Sequence, residues 1–106
     1  MKQDFNVGIA TCYGIHAAII VEIMADFCKC AKMCYEYIVD GKVYVPKKEI
    51  RKTADYMNDK CFEDALDVLE DNGLIFYLLY EDAYSFTDLA KDIFSKKPIR
   101  LTITWQ

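Results

Sequence analysis

The side chains best suited to hold a metal ion are Cys28, Cys30 and Cys34, spaced C-x-C-x3-C, together with the single histidine His16. A zinc site needs four such ligands converging tetrahedrally. On a helix, Cys30 and Cys34 share a face while Cys28 points elsewhere, and the sequence offers no second cluster to complete the set. His16 lies about 20 Å along the same predicted helix from Cys30, at a rise of 1.5 Å per residue. The expectation is no metal and no cofactor, with the thiols packed as small buried hydrophobes. His16 has no carboxylate or nucleophile pattern beside it and reads as a surface residue at a helix start. Nor does the chain carry a Gly-rich phosphate loop, a nucleophile elbow or a carboxylate-rich metal motif. No catalytic residue is expected, and the chain reads as a non-enzymatic binding protein.

The charged side chains are more informative. Ten carboxylates fall between positions 59 and 92, against two cations, Lys60 and Lys91. Lys60, Glu63, Asp64, Asp67, Glu70 and Asp71 recur at helical spacing and form one exposed face, to which an acidic turn adds Glu81 and Asp82. Such a face solubilises an ordinary helix, but it also presents a row of negative charge to a basic partner. Lys47, Lys48, Arg51 and Lys52 form a separate basic patch suited to phosphate contact, partly neutralised by Glu49 and Asp55 nearby. The net charge of −4 and sequence pI near 4.9 argue against a general nucleic-acid or anionic-membrane binder.

These residues must be positioned by a single domain spanning residues 1–106, whose 54% hydrophobic composition is enough for a real core. Residues 1–12 show no helical period and read as an arm or short strand that pairs with the C-terminus. Gly14 opens a helix running to about residue 37, its polar positions Glu22, Asp26, Lys29 (or Cys30), Lys32 and Glu36 leaving a narrow wet stripe. So apolar a helix is either central or covered by a second subunit, which makes it a candidate homodimer surface along with the terminal strand. Its charged interruptions mark a buried helix rather than a membrane span. Five cysteines with no secretory pattern before them suggest reduced thiols and a cytoplasmic location.

Asp40-Gly41 signals a tight turn and residues 42–45 a short strand. Pro46 starts a helix that buries Ile50, Ala54 and Met57. Asn58 or Asp59 caps the next, which buries Phe62, Ala65, Leu66 and Leu69 and ends at Asn72-Gly73. Residues 74–80 form a strand so apolar that both its faces should be covered. A second strand stops at Thr87, which caps a helix carrying Leu89, Ala90, Ile93 and Phe94. Pro98 stops that helix, and Ile99, Leu101, Ile103 and Trp105 alternate as a terminal strand. Trp105 is either an exposed anchor or a closure of the core against residues 1–12. The expected fold class is α+β, mostly helical. Eight Tyr and six Phe exceed what so small a core readily absorbs, so some should face outward.

Three stretches of this pattern resemble a known family. Leu69-Glu70-Asp71-Asn72-Gly73-Leu74-Ile75 is similar to the recognition-helix exit of winged helix-turn-helix regulators. Tyr84-Ser85-Phe86-Thr87-Asp88-Leu89-Ala90 resembles the strand after the wing, with Ala90 where a Gly is common. Gly14-Ile15-His16-Ala17-Ala18-Ile19, followed by Val43-Tyr44-Val45 and Lys48-Glu49-Ile50, resembles the N-terminal domains of phage and plasmid replication initiators. The resemblance implies a winged helix-turn-helix with its core motif at about residues 43–94, a long N-terminal helix and an extra C-terminal strand. It also implies that DNA is read by the exposed face of the second helix and by the wing. Carried onto this chain, those positions are Lys60, Glu63, Asp64, Asp67 and the Glu81-Asp82 turn, which are almost all acidic where the family has groups that meet phosphates and bases.

The expected function is therefore a protein-interaction module of a phage or mobile element, in a replication, regulatory or host-takeover complex. The alternatives are a DNA-binding transcription or replication regulator gripping the backbone through Lys47, Lys48, Arg51 and Lys52, and a nucleic-acid mimic that inhibits a host nuclease, as some anti-CRISPR proteins do.

Overall fold

The computed structural model describes residues 2–31, 35–39, 41–95 and 100–104. The chain starts with strand β1 (Lys2–Asn6) and turns directly into a short helix, α1 (Val7–Tyr13). The Asn6 side chain caps it by accepting from the Ile9 amide at 3.1 Å. The N-terminal arm thus contains a helix that the sequence did not predict. Seven residues with one buried side chain, Ile9, give no readable period. Gly14, at φ +95°, ends α1 and leads into α2 (Ile15–Ala31).

α2 is the axis of the core. Residues 17–24 are all buried, and the helix packs against β1, α1, residues 45–53 and the helix over residues 59–71. Glu22 is buried with them, so it is not part of the expected wet stripe. That stripe begins at Asp26 and Lys29, both exposed. The helix is covered by its own chain, which removes the argument for a second subunit along its first half. Its described residues run to Ala31, and Tyr35–Tyr37 form a 3₁₀ turn where the helix was expected to continue.

Strands β2 (Ile38–Val39) and β3 (Lys42–Val43) form a small hairpin around Gly41, at φ +77°, while Asp40 lies outside the described residues. The predicted strand 42–45 is broken at Tyr44, whose amide donates to the Tyr37 carbonyl at 2.8 Å, and resumes as β4 (Val45–Pro46). Pro46, in extended backbone, ends β4 and immediately precedes α3 (Lys47–Thr53), so the helix starts one residue later than expected. Ile50, Ala54 and Met57 are buried as expected, but α3 ends at Thr53, so only Ile50 lies on the helix and the other two on the turn after it. Asn58 caps α4 (Asp59–Asp71) by accepting from the Cys61 amide at 2.8 Å. Phe62, Ala65, Leu66 and Leu69 form the buried side of this helix. Gly73, at φ +73°, reverses the chain out of α4, and the Leu74 amide returns to the Leu69 carbonyl.

Strands β5 (Ile75–Leu78) and β6 (Ala83–Phe86) form an antiparallel hairpin, and β4 pairs with the other edge of β6, giving the order β4-β6-β5. The expected strand 74–80 is shorter and more open than its composition suggested. Leu79 and Tyr80 lie in the turn, 73% and 98% exposed, and Tyr77 is 38% exposed. Apolar side chains at a four-residue turn have no neighbouring strand to cover them. Thr87 caps α5 (Asp88–Ser95), its hydroxyl accepting from the Ala90 amide at 3.2 Å and donating to the Gly73 carbonyl. Strand β7 (Arg100–Thr104) pairs antiparallel with β1, so the N-terminal arm does meet the C-terminal strand. Pro98, Ile99 and Trp105 lie outside the described residues. The result is a compact α+β fold, mostly helical, with small antiparallel sheets and a radius of gyration of 13.1 Å. Among the described residues no helix is long and apolar enough to cross a membrane.

Candidate functional site

The outward side of α4 carries Lys60, Glu63, Asp64, Asp67, Glu70 and Asp71, all exposed. Opposite its buried face these side chains have no packing role, and the fold sorts them into different neighbourhoods. Glu63, Asp67 and Glu70 recur along one exposed stripe of α4, and their charges act on Tyr84, a buried residue of β6. Burial first, and then the charges of Glu70, Glu63, Tyr77 and Asp67, push the Tyr84 phenol up to about 12. The Tyr84 ring lies 5.2 Å from that of Tyr77, its direct partner across the hairpin. The Tyr77 hydroxyl in turn donates to Asp82 Oδ1 at 2.5 Å. This hydrogen bond is the main cause of a raised Tyr77 pKa, followed by burial and the Asp82 charge.

Two tyrosines therefore connect the acidic helix face to the acidic turn. Neither was singled out in the sequence, although the signal was there. Positions 77 and 84 sit symmetrically about a turn centred on residues 79–82, which pairs them in a hairpin. Asp82 reaches its place through backbone at φ +47°, a left-handed conformation that Asp tolerates better than most residues.

Lys47 fastens the assembly from the side. Its ammonium lies 3.0 Å from Glu63 Oε1, and its amide donates to the Asp82 carbonyl at 2.9 Å. The start of α3, the face of α4 and the hairpin turn thus meet at one residue.

The remaining predicted site residues lie apart. Lys60 and Asp64 pair with each other at 2.7 Å, which raises the Lys60 pKa. Asp64 also lines a shallow cavity of 190 Å³ with His16 and Cys61, on the α2 side. Asp71 is exposed at the last turn of α4, and Glu81 faces a different cleft, beside Lys48 and Glu49.

No protein-family model, curated protein or solved structure matches this chain.

The geometry divides the basic patch. Arg51 donates to the carbonyls of Ala54 at 2.8 Å and Met57 at 3.0 Å and to Asp59 Oδ1 at 2.9 Å, and it lies over the Phe62 ring at 5.0 Å. It holds the corner between α3 and α4. Lys47 is committed to Glu63. Of the four cations, only Lys48 and Lys52 are fully on the surface while Lys47 and Arg51 are half-buried, so the expected phosphate-gripping row is not presented as one surface.

The thiols also differ from expectation. Cys28 is half-buried against the core, but Cys30 and Cys12 are exposed, so packing as buried hydrophobes fails for Cys30. A helix position next to Asp26 and Lys29 simply faces water here. Cys34 lies outside the described residues. Among the described residues no group of three His, Cys, Asp or Glu side chains is placed to hold a metal.

What converges beside the hairpin is carboxylate and phenol. With their pKa values raised, Tyr77 and Tyr84 stay protonated at neutral pH and are poor nucleophiles and bases. Their chemistry is hydrogen bonding and attraction of cations.

Proposed function

We propose that this chain is a non-enzymatic interaction module of winged-helix design that presents the α4 face and hairpin to a basic surface of a protein partner. The observation that carries the reading is the exposed stripe of Glu63, Asp67 and Glu70 on α4, joined through Lys47 to the turn in which Asp82 accepts from Tyr77. Negative charge beside aromatic rings suits a Lys- or Arg-bearing protein surface. Leu79 and Tyr80 project beyond it at the hairpin tip and supply apolar anchors.

The winged-helix reading is supported by the succession of α2, β4, α3, α4 and the β5–β6 hairpin, with the second hairpin strand in the middle of the sheet. In that design α4 stands where a DNA-reading helix would, and its carboxylates would repel the phosphate backbone. A replication, regulatory or host-takeover complex of a phage or mobile element is the setting we propose. The row of carboxylates on one helix also favours a partner whose basic surface normally holds nucleic acid, as in an inhibited nuclease.

Two measurements test this reading. Titration against duplex DNA at low and moderate salt should show no binding. A low-salt mobility shift that vanishes in Lys48→Gln/Lys52→Gln would overturn the proposal in favour of DNA binding. In the second measurement, immobilised protein should retain a partner from cells that produce it, and Glu63→Lys/Asp67→Lys should lose that partner. Retention unchanged by the double reversal would exclude this face.

A further inference from the structure

A cleft of about 340 Å³ opens between the Tyr35–Tyr37 turn, the start of α3 and the hairpin turn. Two of its walls are the rings of Tyr37 and Tyr44, set edge to face with centroids 5.7 Å apart. Phe27 backs the Tyr37 ring, also edge to face, at 5.1 Å. The Tyr44 hydroxyl donates to the Glu36 carbonyl and its amide to the Tyr37 carbonyl, so the walls are held together from within. Glu36, Glu49 and Glu81 line the same space with one cation, Lys48, so its charged residues are net negative.

Aromatic rings and carboxylates around one cavity attract a cation by two separate effects, the ring quadrupole and direct Coulomb attraction. The volume is at the low end of the range for ligand pockets, about 300–1,000 Å³, and so fits one long side chain better than a larger molecule. Guanidinium suits it better than ammonium. It is flat, weakly hydrated, able to stack on a ring, and has five donors to share among several carboxylates. Rings already fixed by Tyr44 reduce the ordering cost of binding. Glu81 belongs to the same turn as Asp82, so the cleft adjoins the acidic surface on α4 and the hairpin.

We propose that this cleft receives an arginine side chain of the protein partner, with the guanidinium against the Tyr37 and Tyr44 rings and the carboxylates of Glu36 and Glu81. The proposal rests on the reading of the chain as a protein-binding module and adds to it the residue type that enters the cleft.

The test needs no knowledge of the partner. The whole chain is titrated at low salt with N-acetyl-arginine amide, with the matching lysine amide and with the neutral citrulline amide, and amide shifts are followed by NMR. The arginine probe should bind in the millimolar range and shift residues 36–37, 44, 48–49 and 81. Citrulline should bind at least about tenfold more weakly, a difference of about 1.4 kcal/mol, and lysine should fall between. Glu36→Gln/Glu81→Gln should weaken the arginine probe by a similar factor. Glu63→Lys/Asp67→Lys should leave it within about twofold, since long-range surface charge is screened. Equal binding of citrulline, shifts confined to α4, or no shift at tens of millimolar probe would each overturn the assignment. Because the citrulline comparison uses the unaltered protein, a folding defect in a variant cannot imitate success. Partner retention unchanged by the α4 reversal, with the arginine probe still bound, would fail the α4 reading alone, and absence of arginine-specific binding, with retention still lost in the α4 reversal, would fail the cleft assignment alone.

Discussion

Lys47 and Glu63 form a 3.0 Å ion pair across the corner where α3, α4 and the hairpin turn meet. Both side chains are partly exposed, at 30% and 51%, so the pair positions more than it stabilises. Lys47→Ala should cost no more than about 1 kcal/mol in urea denaturation, with an unchanged slope. A double-mutant cycle with Glu63→Ala should give a coupling of about 0.5 kcal/mol. The backbone bond from Lys47 to Asp82 survives both substitutions, so the hairpin should keep its amide shifts. A coupling of several kcal/mol would show that the hairpin depends on the ion pair.

Arg51 should behave as a structural residue. Arg51→Met leaves the carbonyls of Ala54 and Met57 without their guanidinium donor and should cost about 1–3 kcal/mol. Lys52→Met, on the exposed side of the same helix, should stay within about 0.5 kcal/mol of the parent. Thermal unfolding of both variants decides the matter. Equal effects would restore the basic patch as a common surface.

Tyr84 makes a pH prediction. Its folded pKa is raised from 10.0 to about 12, so the folded state resists ionisation that the unfolded chain accepts. The stabilising contribution is complete below pH 10 and is lost as the pH rises toward 12. Titration of tyrosinate absorbance should show one late component that disappears in Tyr84→Phe. Tyr84→Phe should also lose less stability than the parent between pH 10 and 12. Glu70→Gln and Glu63→Gln should each shift the late component downward. No movement in either would mean that those carboxylates do not face Tyr84.

Leucines of similar hydrophobicity should part company. Leu66 is 1% exposed and Leu79 73% exposed. Leu66→Ala should cost about 2–5 kcal/mol, and Leu79→Ala within about 0.5 kcal/mol. In partner retention the order should reverse among folded variants, with Leu79→Ala weakening binding. Wild-type retention by Leu79→Ala would remove the hairpin tip from the interface.

Features that depend on a few neighbouring residues were legible in the sequence. The buried set Phe62, Ala65, Leu66 and Leu69, the Asn58 cap, the Gly73 reversal and the Thr87 cap follow from helical period, side-chain capping and backbone freedom, all local effects. What failed to show depends on partners distant in the chain. Glu22 lies on what looked like a wet stripe, but β1, α1 and α4 enclose the helix around it. Leu79 and Tyr80 looked like strand interior, and the turn carries them into solvent.

The candidate site was half legible for the same reason. Its carboxylates were evident from their spacing on α4. The pairing of Tyr77 with Tyr84 near them requires the hairpin register and the approach of β5 to α4. The loss of Lys47 and Arg51 from the basic patch likewise depends on contacts made across the α3–α4 corner.

The β1–β7 ladder sets Lys2 opposite Thr104 and Asn6 opposite Arg100. Tension applied at positions 2 and 104 therefore loads the ladder at its outer end and opens its rungs one after another, instead of shearing them together. The first mechanical event on stretching is this low-force unzipping, which exposes β1 while the α3–α4 corner and the β5–β6 hairpin carry no load. A tether at those two positions would probe the ladder alone, and a tether across the hairpin would report on the acidic surface.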